Sequence, residues 1–195
     1  MSLLAVDMGS SSCKAIAFSP DGRMLAERRQ SYSPDIPRPS WAEMPAEKFW
    51  QAFQSVTRQI TSTIADPIEA LCISSHAETF VAVNQNRAPL SPAILNIDNR
   101  AVVEANWMAE TIGLRRVFEI TGLSAHPMYP IPKMLWMRQH QKEIFCSAAQ
   151  FLGVTDYLLT RLGLPPHIDY SHASRFLAFD VRRRCWLEEI LGVCH

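Results

Sequence analysis

Several things are scarce in this chain, and each scarcity excludes something. Neither sign of charge is in excess: 19 Lys and Arg balance 19 Asp and Glu, so no electrostatic footprint marks a nucleic acid or an acidic membrane surface as partner. Charged residues are only 19% of the chain against 48% hydrophobic, which rules out disorder along its whole length and leaves enough apolar material for a core. No apolar run approaches bilayer-spanning length. The N-terminal run Leu3 to Val6 stops at Asp7 with no basic stretch before it, which argues against a secretory signal, so a cytoplasmic location is expected. The cysteines are scattered and odd in number. Cys13, Cys72, Cys146, Cys185 and Cys194 never form Cys-x-x-Cys, which argues against a disulfide framework and reads as reduced, buried, apolar-like thiols. There is no internal repeat and no low-complexity tract. At 195 residues, one domain is the first expectation.

What is present is an ordered alternation of strand and helix signals. Leu3 to Val6, Cys13 to Phe18 and Met24 to Ser31 read as an antiparallel meander, with Pro20-Asp21-Gly22 turning the second strand into the third. Ser31 to Pro45, with four prolines, reads as a loop. Phe49, Trp50, Phe53, Val56, Ile60 and Ile64 then share one helix face, ended by Asp66-Pro67. Ile68 to Ser74 and Thr79 to Val83 follow as strands, and Pro92 to Ile97 as an apolar run. Ala101 to Ile112, Arg116 to Ile120, Lys133 to His140, Phe151 to Leu162 and Trp186 to Leu191 read as helices. Pro127, Pro130 and Pro132 read as a rigid loop, Asp169 to Ser174 as a polar turn, and Phe176 to Phe179 as a strand. Strands first, then alternation, argue for an α/β domain around a mixed sheet. The apolar tail Leu191-Gly192-Val193-Cys194-His195 suggests that a continuation or partner is missing.

Two segments carry chemistry. In Asp7-Met8-Gly9-Ser10-Ser11-Ser12-Cys13-Lys14 a strand ends in an acid, and a glycine with three hydroxyls turns the chain into the next strand. Gly9 permits close approach of backbone N–H groups to a phosphate, the hydroxyls add donors, and Lys14 adds positive charge. Asp7 suits Mg²⁺ held through water. Taken alone, the segment reads more simply as a plain hairpin turn. It is not a P-loop, because it lacks Gly-x4-Gly-Lys and leads into a strand. The second segment is Ser74-Ser75-His76-Ala77-Glu78-Thr79, between two expected strands. A carboxylate such as Glu78 suits adjacent hydroxyls of a polyol. A solvated turn glutamate and a hydrogen-bonded loop histidine are the plainer readings. His76 has no second His or Cys at ligand spacing.

The Asp-x-Gly-Ser-Ser-Ser-x-Lys turn resembles the first phosphate motif of the FGGY carbohydrate kinases, the family of glycerol kinase and xylulokinase. Further landmarks resemble that family in the same order. They are Ser40-Trp41-Ala42-Glu43 with Phe49-Trp50, the Cys72 to Thr79 segment, and Pro92 to Arg100. Thr121-Gly122-Leu123 through Lys133 and Trp136 follows, then Asp169-Tyr170-Ser171-His172-Ala173-Ser174 with Phe179-Asp180 and Trp186. The resemblance implies a ribonuclease-H-like domain of the actin and sugar-kinase class, and ATP-dependent phosphorylation of a sugar or polyol with Mg²⁺. It places Asp7 at the Mg²⁺–phosphate region, and Gly9, Ser10, Ser11, Ser12 and Lys14 at the nucleotide phosphates. It places His76, Ala77, Glu78, Asn96, Met128 and Tyr129 on the substrate side.

Departures from the family pattern narrow the substrate. Ala77 stands where glycerol kinase has an arginine, Glu78 is not the histidine of xylulokinases, and Asn96 replaces a tryptophan. Met128 falls where a substrate-side tyrosine is found, with Tyr129 one place later. Asp98 and Arg100 read as a structural turn and helix-start pair. The family's general-base aspartate and its second, ATP-binding domain fall beyond His195. The expectation is therefore the substrate side of a kinase, completed by a C-terminal domain or a partner chain and nearly inactive alone. The alternative is a non-catalytic relative that binds a sugar or a partner chain. A nuclease on the same fold is disfavoured, since it needs an acid cluster for two metals.

Overall fold

The computed structural model describes residues 1–192, so Cys194 and the Val193 end of the apolar tail lie outside the described residues. Strand β1 (Ser2–Met8) pairs antiparallel with β2 (Ser12–Phe18), and β2 with β3 (Met24–Ser31), forming the expected meander. Strand β4 (Glu43–Met44) and helix α1 (Ala46–Thr61) come next. Strand β5 (Ile68–Ser75) returns parallel to β1, giving a four-stranded mixed sheet in the order β3-β2-β1-β5. Leu4, Val6 and Met8 alternate onto one face of β1 and meet Phe49, Phe53, Val56 and Ile60 of α1. Burying each of these large side chains contributes about 1.5–3 kcal/mol. Ile64 falls beyond the helix but still packs on this core.

A second four-stranded sheet, β4-β7-β6-β8, is built from β6 (Phe80–Val83), β7 (Ala93–Ile94) and β8 (Gln150–Gly153) together with β4. Its middle strand is buried on both faces. Val81 and Val83 enter the core under α1, while Phe80 and Ala82 enter a second core. That second core holds Val117, Ile120, Ile131, Leu135, Met137 and Leu177. It is covered by α2 (Val102–Met108), a π-helical turn (Ala109–Gly113), α3 (Leu114–Thr121) and α4 (Pro130–His140).

Several expectations are corrected here. Pro130 and Pro132 begin α4 instead of a loop, because first-turn residues have no intrahelical N–H partner to lose. A short helix, α5 (Lys142–Ser147), precedes β8. Phe151 and Leu152 belong to β8, paired with Ala82 and Val81, and helix α6 (Val154–Arg161) starts only after Gly153. The boundary signal was Asp156, whose Oδ2 accepts from the Gly153 N–H at 3.0 Å. Tyr170–Ser174 forms a short helix, α7, because Asp169 caps it by accepting from the N–H groups of Ser171 and His172. Only Phe179–Asp180 (β9) is extended near there, paired with Cys185–Trp186 (β10). The last helix, α8, covers Glu188–Leu191. Cys13 alone of the described cysteines is buried; Cys72, Cys146 and Cys185 are exposed, and all four are unpaired.

Candidate functional site

Because β1 and β5 are parallel and in register, Met8 opposite Ser75, the turn after β1 and the loop after β5 leave the same edge of the sheet. Ligands of α/β sheets bind at such carboxyl ends. The turn Gly9–Ser11 is closed by the Gly9 N–H donating to the Ser12 carbonyl at 2.9 Å. A Cβ at Gly9 would stand 3.2 Å from that same carbonyl, so the turn is built for a residue without a side chain. Tyr32 braces it, donating its hydroxyl to the Gly9 carbonyl at 2.5 Å and its N–H to the Ser11 carbonyl at 3.0 Å.

Asp7, Ser10 and Ser11 are exposed, whereas Ser12 is buried and accepts from Arg29 Nε at 2.9 Å. Lys14 lies opposite Asp7 across the strand pair and forms an exposed ion pair with Glu27 at 3.3 Å. Arg29, in register beside Lys14 on β3, adds a second cation that motif reading missed. Burial, then the Asp7 charge, pushes the Cys13 thiol up to about 12, so this cysteine is inert.

His76 joins this turn to the second segment. Its main-chain N–H and its Nδ1 both lie 2.9 Å from the Met8 carbonyl, which can only accept, so Nδ1 carries the proton. Nε2 is buried with no partner. Burial is the main influence on His76 and holds it below the usual histidine range, against the opposing pull of the Met8 carbonyl, Glu78 and Asp7.

The expected substrate residues come together on three loops. Glu78 is 7% exposed and sits at φ 63, a left-handed backbone that a non-glycine residue adopts at a cost of about 1–2 kcal/mol. Next to it, Thr79 Oγ1 accepts from the Asn96 N–H at 3.0 Å. Asn96 Oδ1 is a buried acceptor without a partner. Lys133, fully buried, donates to the Leu95 carbonyl at 2.6 Å and the Met128 carbonyl at 2.7 Å, so one amine ties the Asn96 loop to Met128 and Tyr129. Burial brings Lys133 down to about 7; Asp98 and Glu78 oppose this shift and Arg100 adds to it.

A fourth element, α7, was not anticipated. His172 and Arg175, three residues apart, lie on one side of a short capped helix. His172 Nδ1 sits 2.7 Å from Asp169 Oδ2, and its Nε2 lies 3.3 Å from Ser75 Oγ. Thr155 Oγ1 donates to that same Ser75 Oγ at 2.9 Å. Arg175 Nε donates to Glu78 Oε1, and its guanidinium carbon lies over the Tyr129 ring, 5.2 Å from the ring centre.

Asp98 and Arg100 are structural, as expected. Asp98 accepts from the Ala42 N–H at 2.6 Å and from Arg100 Nη2 at 2.7 Å. Arg100 also reaches Glu43 at 2.7 Å and stacks 3.9 Å from the centre of the Trp41 ring. Among the described residues no group of three metal-ligating side chains converges, and no helix is long and apolar enough to cross a membrane.

The turn after β1 and the polar loop cluster lie together at the carboxyl ends of β1 and β5, in a mixed sheet flanked by helices whose fold is that of the actin-like sugar kinases. Solved structures agree on the fold. A xylulose kinase from Lactobacillus acidophilus superposes with TM-score 0.94 at 23% identity, covering 99% of this chain and 39% of that one. A gluconate kinase from the same organism gives 0.93 at 22% identity, covering 100% and 40%.

The chain belongs to the FGGY family of carbohydrate kinases: the model of that family's N-terminal domain matches residues 2–195. Gluconokinase of Bacillus subtilis is 31% identical over 192 residues, 98% of this chain and 37% of the relative. Xylulose kinase of Escherichia coli is 28% identical, covering 98% and 39%. The chain thus spans about two fifths of the length of these relatives.

Proposed function

We propose that this chain supplies the substrate side and the first phosphate loop of an ATP-dependent carbohydrate kinase. The observation that carries the reading is His76, which fastens the Glu78 loop to the Met8 end of the phosphate turn through two contacts of 2.9 Å. A substrate hydroxyl at the Glu78 loop then lies beside the phosphates. The hydroxyl-bearing turn, Lys14 and Arg29 suit nucleotide phosphates. A single exposed carboxylate, Asp7, suits a magnesium ion carried on those phosphates and still largely hydrated. The bound MgATP would supply the transferable phosphoryl group and the charge neutralisation that this chemistry needs.

The chain's own residues bind and orient: Glu78 accepts from substrate hydroxyls, Asn96 Oδ1 offers a further acceptor, and Met128 and Tyr129 form a wall. Relatives named gluconokinase, xylulose kinase and glycerol kinase support an acceptor of the carbohydrate class, with sugars, sugar acids and polyols as its candidates. No residue of this chain is assigned as general base, so little phosphoryl transfer is expected from it alone. Calorimetric titration with ketoses, aldoses, polyols and sugar acids tests the reading. At least one class binds saturably, and Glu78→Ala weakens it; the absence of binding by any class would overturn the proposal.

A further inference from the structure

Glu78 holds a left-handed backbone, φ 63, although it is not a glycine. Such a conformation persists only where the surroundings over-determine it. One hold comes from α7: Arg175, the residue that ends this helix, donates from Nε to Glu78 Oε1. Yet α7 is only five residues long, far short of the roughly 12 at which an isolated helix becomes marginally stable. It needs anchors of its own. Phe176 and Leu177 root its exit in the second core. On the side of the substrate loop the anchor is His172.

His172 Nε2 lies 3.1 Å from the Ser75 carbonyl and 3.3 Å from Ser75 Oγ. Ser75 is the last residue of β5, opposite Met8 in register, and Thr155 of α6 donates to its hydroxyl at 2.9 Å. Asp169 Oδ2, 2.7 Å from Nδ1, fixes the other edge of the ring. One imidazole thus ties α7 to the strand end from which the Glu78 loop leaves. The helix does not need this side chain to form. Its cap is Asp169 Oδ1, which accepts from the N–H groups of Ser171 and His172 and from the Ser171 hydroxyl. Any non-proline residue at position 172 keeps that cap, but only one with a polar atom at the reach of Nε2 keeps the tie to Ser75.

We propose that His172 is a positioning residue of the substrate loop: it clamps α7 onto the end of β5, and the clamped helix presents Arg175 to Glu78. It acts through Ser75 and Arg175 rather than on the substrate. This deepens the kinase reading above, because it rests on Glu78 as the residue that meets the substrate hydroxyls.

Two variants separate the clamp from packing. His172→Leu fills similar space and has no polar atom. His172→Gln carries both a donor and an acceptor at comparable reach, so it serves Ser75 in either direction of the hydrogen bond. Ser75→Ala, which removes the hydroxyl half of the tie, replaces His172→Leu if circular dichroism shows that variant unfolded. The first arm is hydrogen–deuterium exchange of the free protein. Segment 75–80 exchanges about tenfold faster in His172→Leu, the size of one lost hydrogen bond, while β2 and β3 exchange as in wild type. His172→Gln restores most of the protection. Unchanged exchange in 75–80, equal acceleration throughout the chain, or a His172→Gln variant as fast as His172→Leu would overturn the inference.

The second arm is calorimetric titration with D-glucose, D-xylulose, glycerol and D-gluconate, one probe for each carbohydrate class. On a probe that binds, His172→Leu weakens affinity about fivefold or more, and Glu78→Ala costs less in the His172→Leu background than in wild type, because both changes remove one arrangement. No loss in His172→Leu, or strictly additive losses, would reduce His172 to a structural contact. If none of the four probes binds, the kinase reading fails, and the exchange arm still decides the clamp.

Discussion

Replacing Lys133 with methionine tests the strut that ties the Asn96 loop to Met128 and Tyr129. Methionine fills similar space but donates nothing, so the Leu95 and Met128 carbonyls, 2.6 and 2.7 Å from Nζ, lose their donor in the interior. Each orphaned acceptor costs about 1–3 kcal/mol, so the variant is destabilised by roughly 2–6 kcal/mol, less whatever is recovered by no longer burying an amine. The pH dependence separates this account from simple packing. The folded state releases the Lys133 proton near about 7, whereas the unfolded chain keeps it to about 10.4. Between those values the unfolded state binds more protons, so wild-type stability gains up to about 1.4 kcal/mol per pH unit from this residue.

A neutral amine has two N–H groups, which satisfy both carbonyls, so nothing is lost on deprotonation. Urea titration followed by tryptophan fluorescence at pH 6.5, 8 and 9.5 measures the effect. Groups shared by both proteins cancel in the difference, so the gap between wild type and Lys133→Met widens with pH. Parallel profiles, or a gap that narrows with pH, would refute the assignment of Lys133 as a buried amine that gives up its proton near neutrality.

The other expectations concern the frame around the site. Asp98→Ala leaves a buried arginine with only Glu43, and a loss of about 3–5 kcal/mol in urea titration is expected. Burial, opposed by the Gly153 N–H, raises Asp156 to about 6, so the folded state holds its proton where the unfolded chain has lost it. Stability from this group therefore falls as pH rises from about 4 to 6, and Asp156→Asn removes that slope in a pH series of melting temperatures. Burial raises Asp169 but is outweighed by the Ser171 and His172 hydrogen bonds, which bring it down to about 2. Its contribution is complete above about 4 and is lost as pH falls toward 2, a loss that Asp169→Asn does not show in acid titration.

Much of this was legible in sequence because the signals are local. The Gly-Ser turn between two apolar runs gave β1 and β2, and a 3.6-residue stripe from Phe49 to Ile60 gave α1. The structure also gathers the Glu78, Asn96 and Met128–Tyr129 segments, which spacing alone does not bring together. What escaped is non-local or depends on chain ends. Phe151 and Leu152 look helical in isolation, and pairing with β6 makes them a strand. Pro130 and Pro132 read as loop until their place in a first turn is known. Arg175 and Arg29 carry no motif of their own; α7 and the β2–β3 register bring them to the site. Lys133 looks like a surface lysine until the carbonyls that receive it are seen.

Hydrogen–deuterium exchange with and without a saturating sugar or sugar acid tests the central claim most directly. The account predicts slowed exchange in the segments 75–80, 95–97 and 128–133, and around Arg175, with α5 unchanged. Protection confined to the apolar cleft lined by Ile168, Phe176 and Trp186, or no protection at the Glu78 loop, would contradict it.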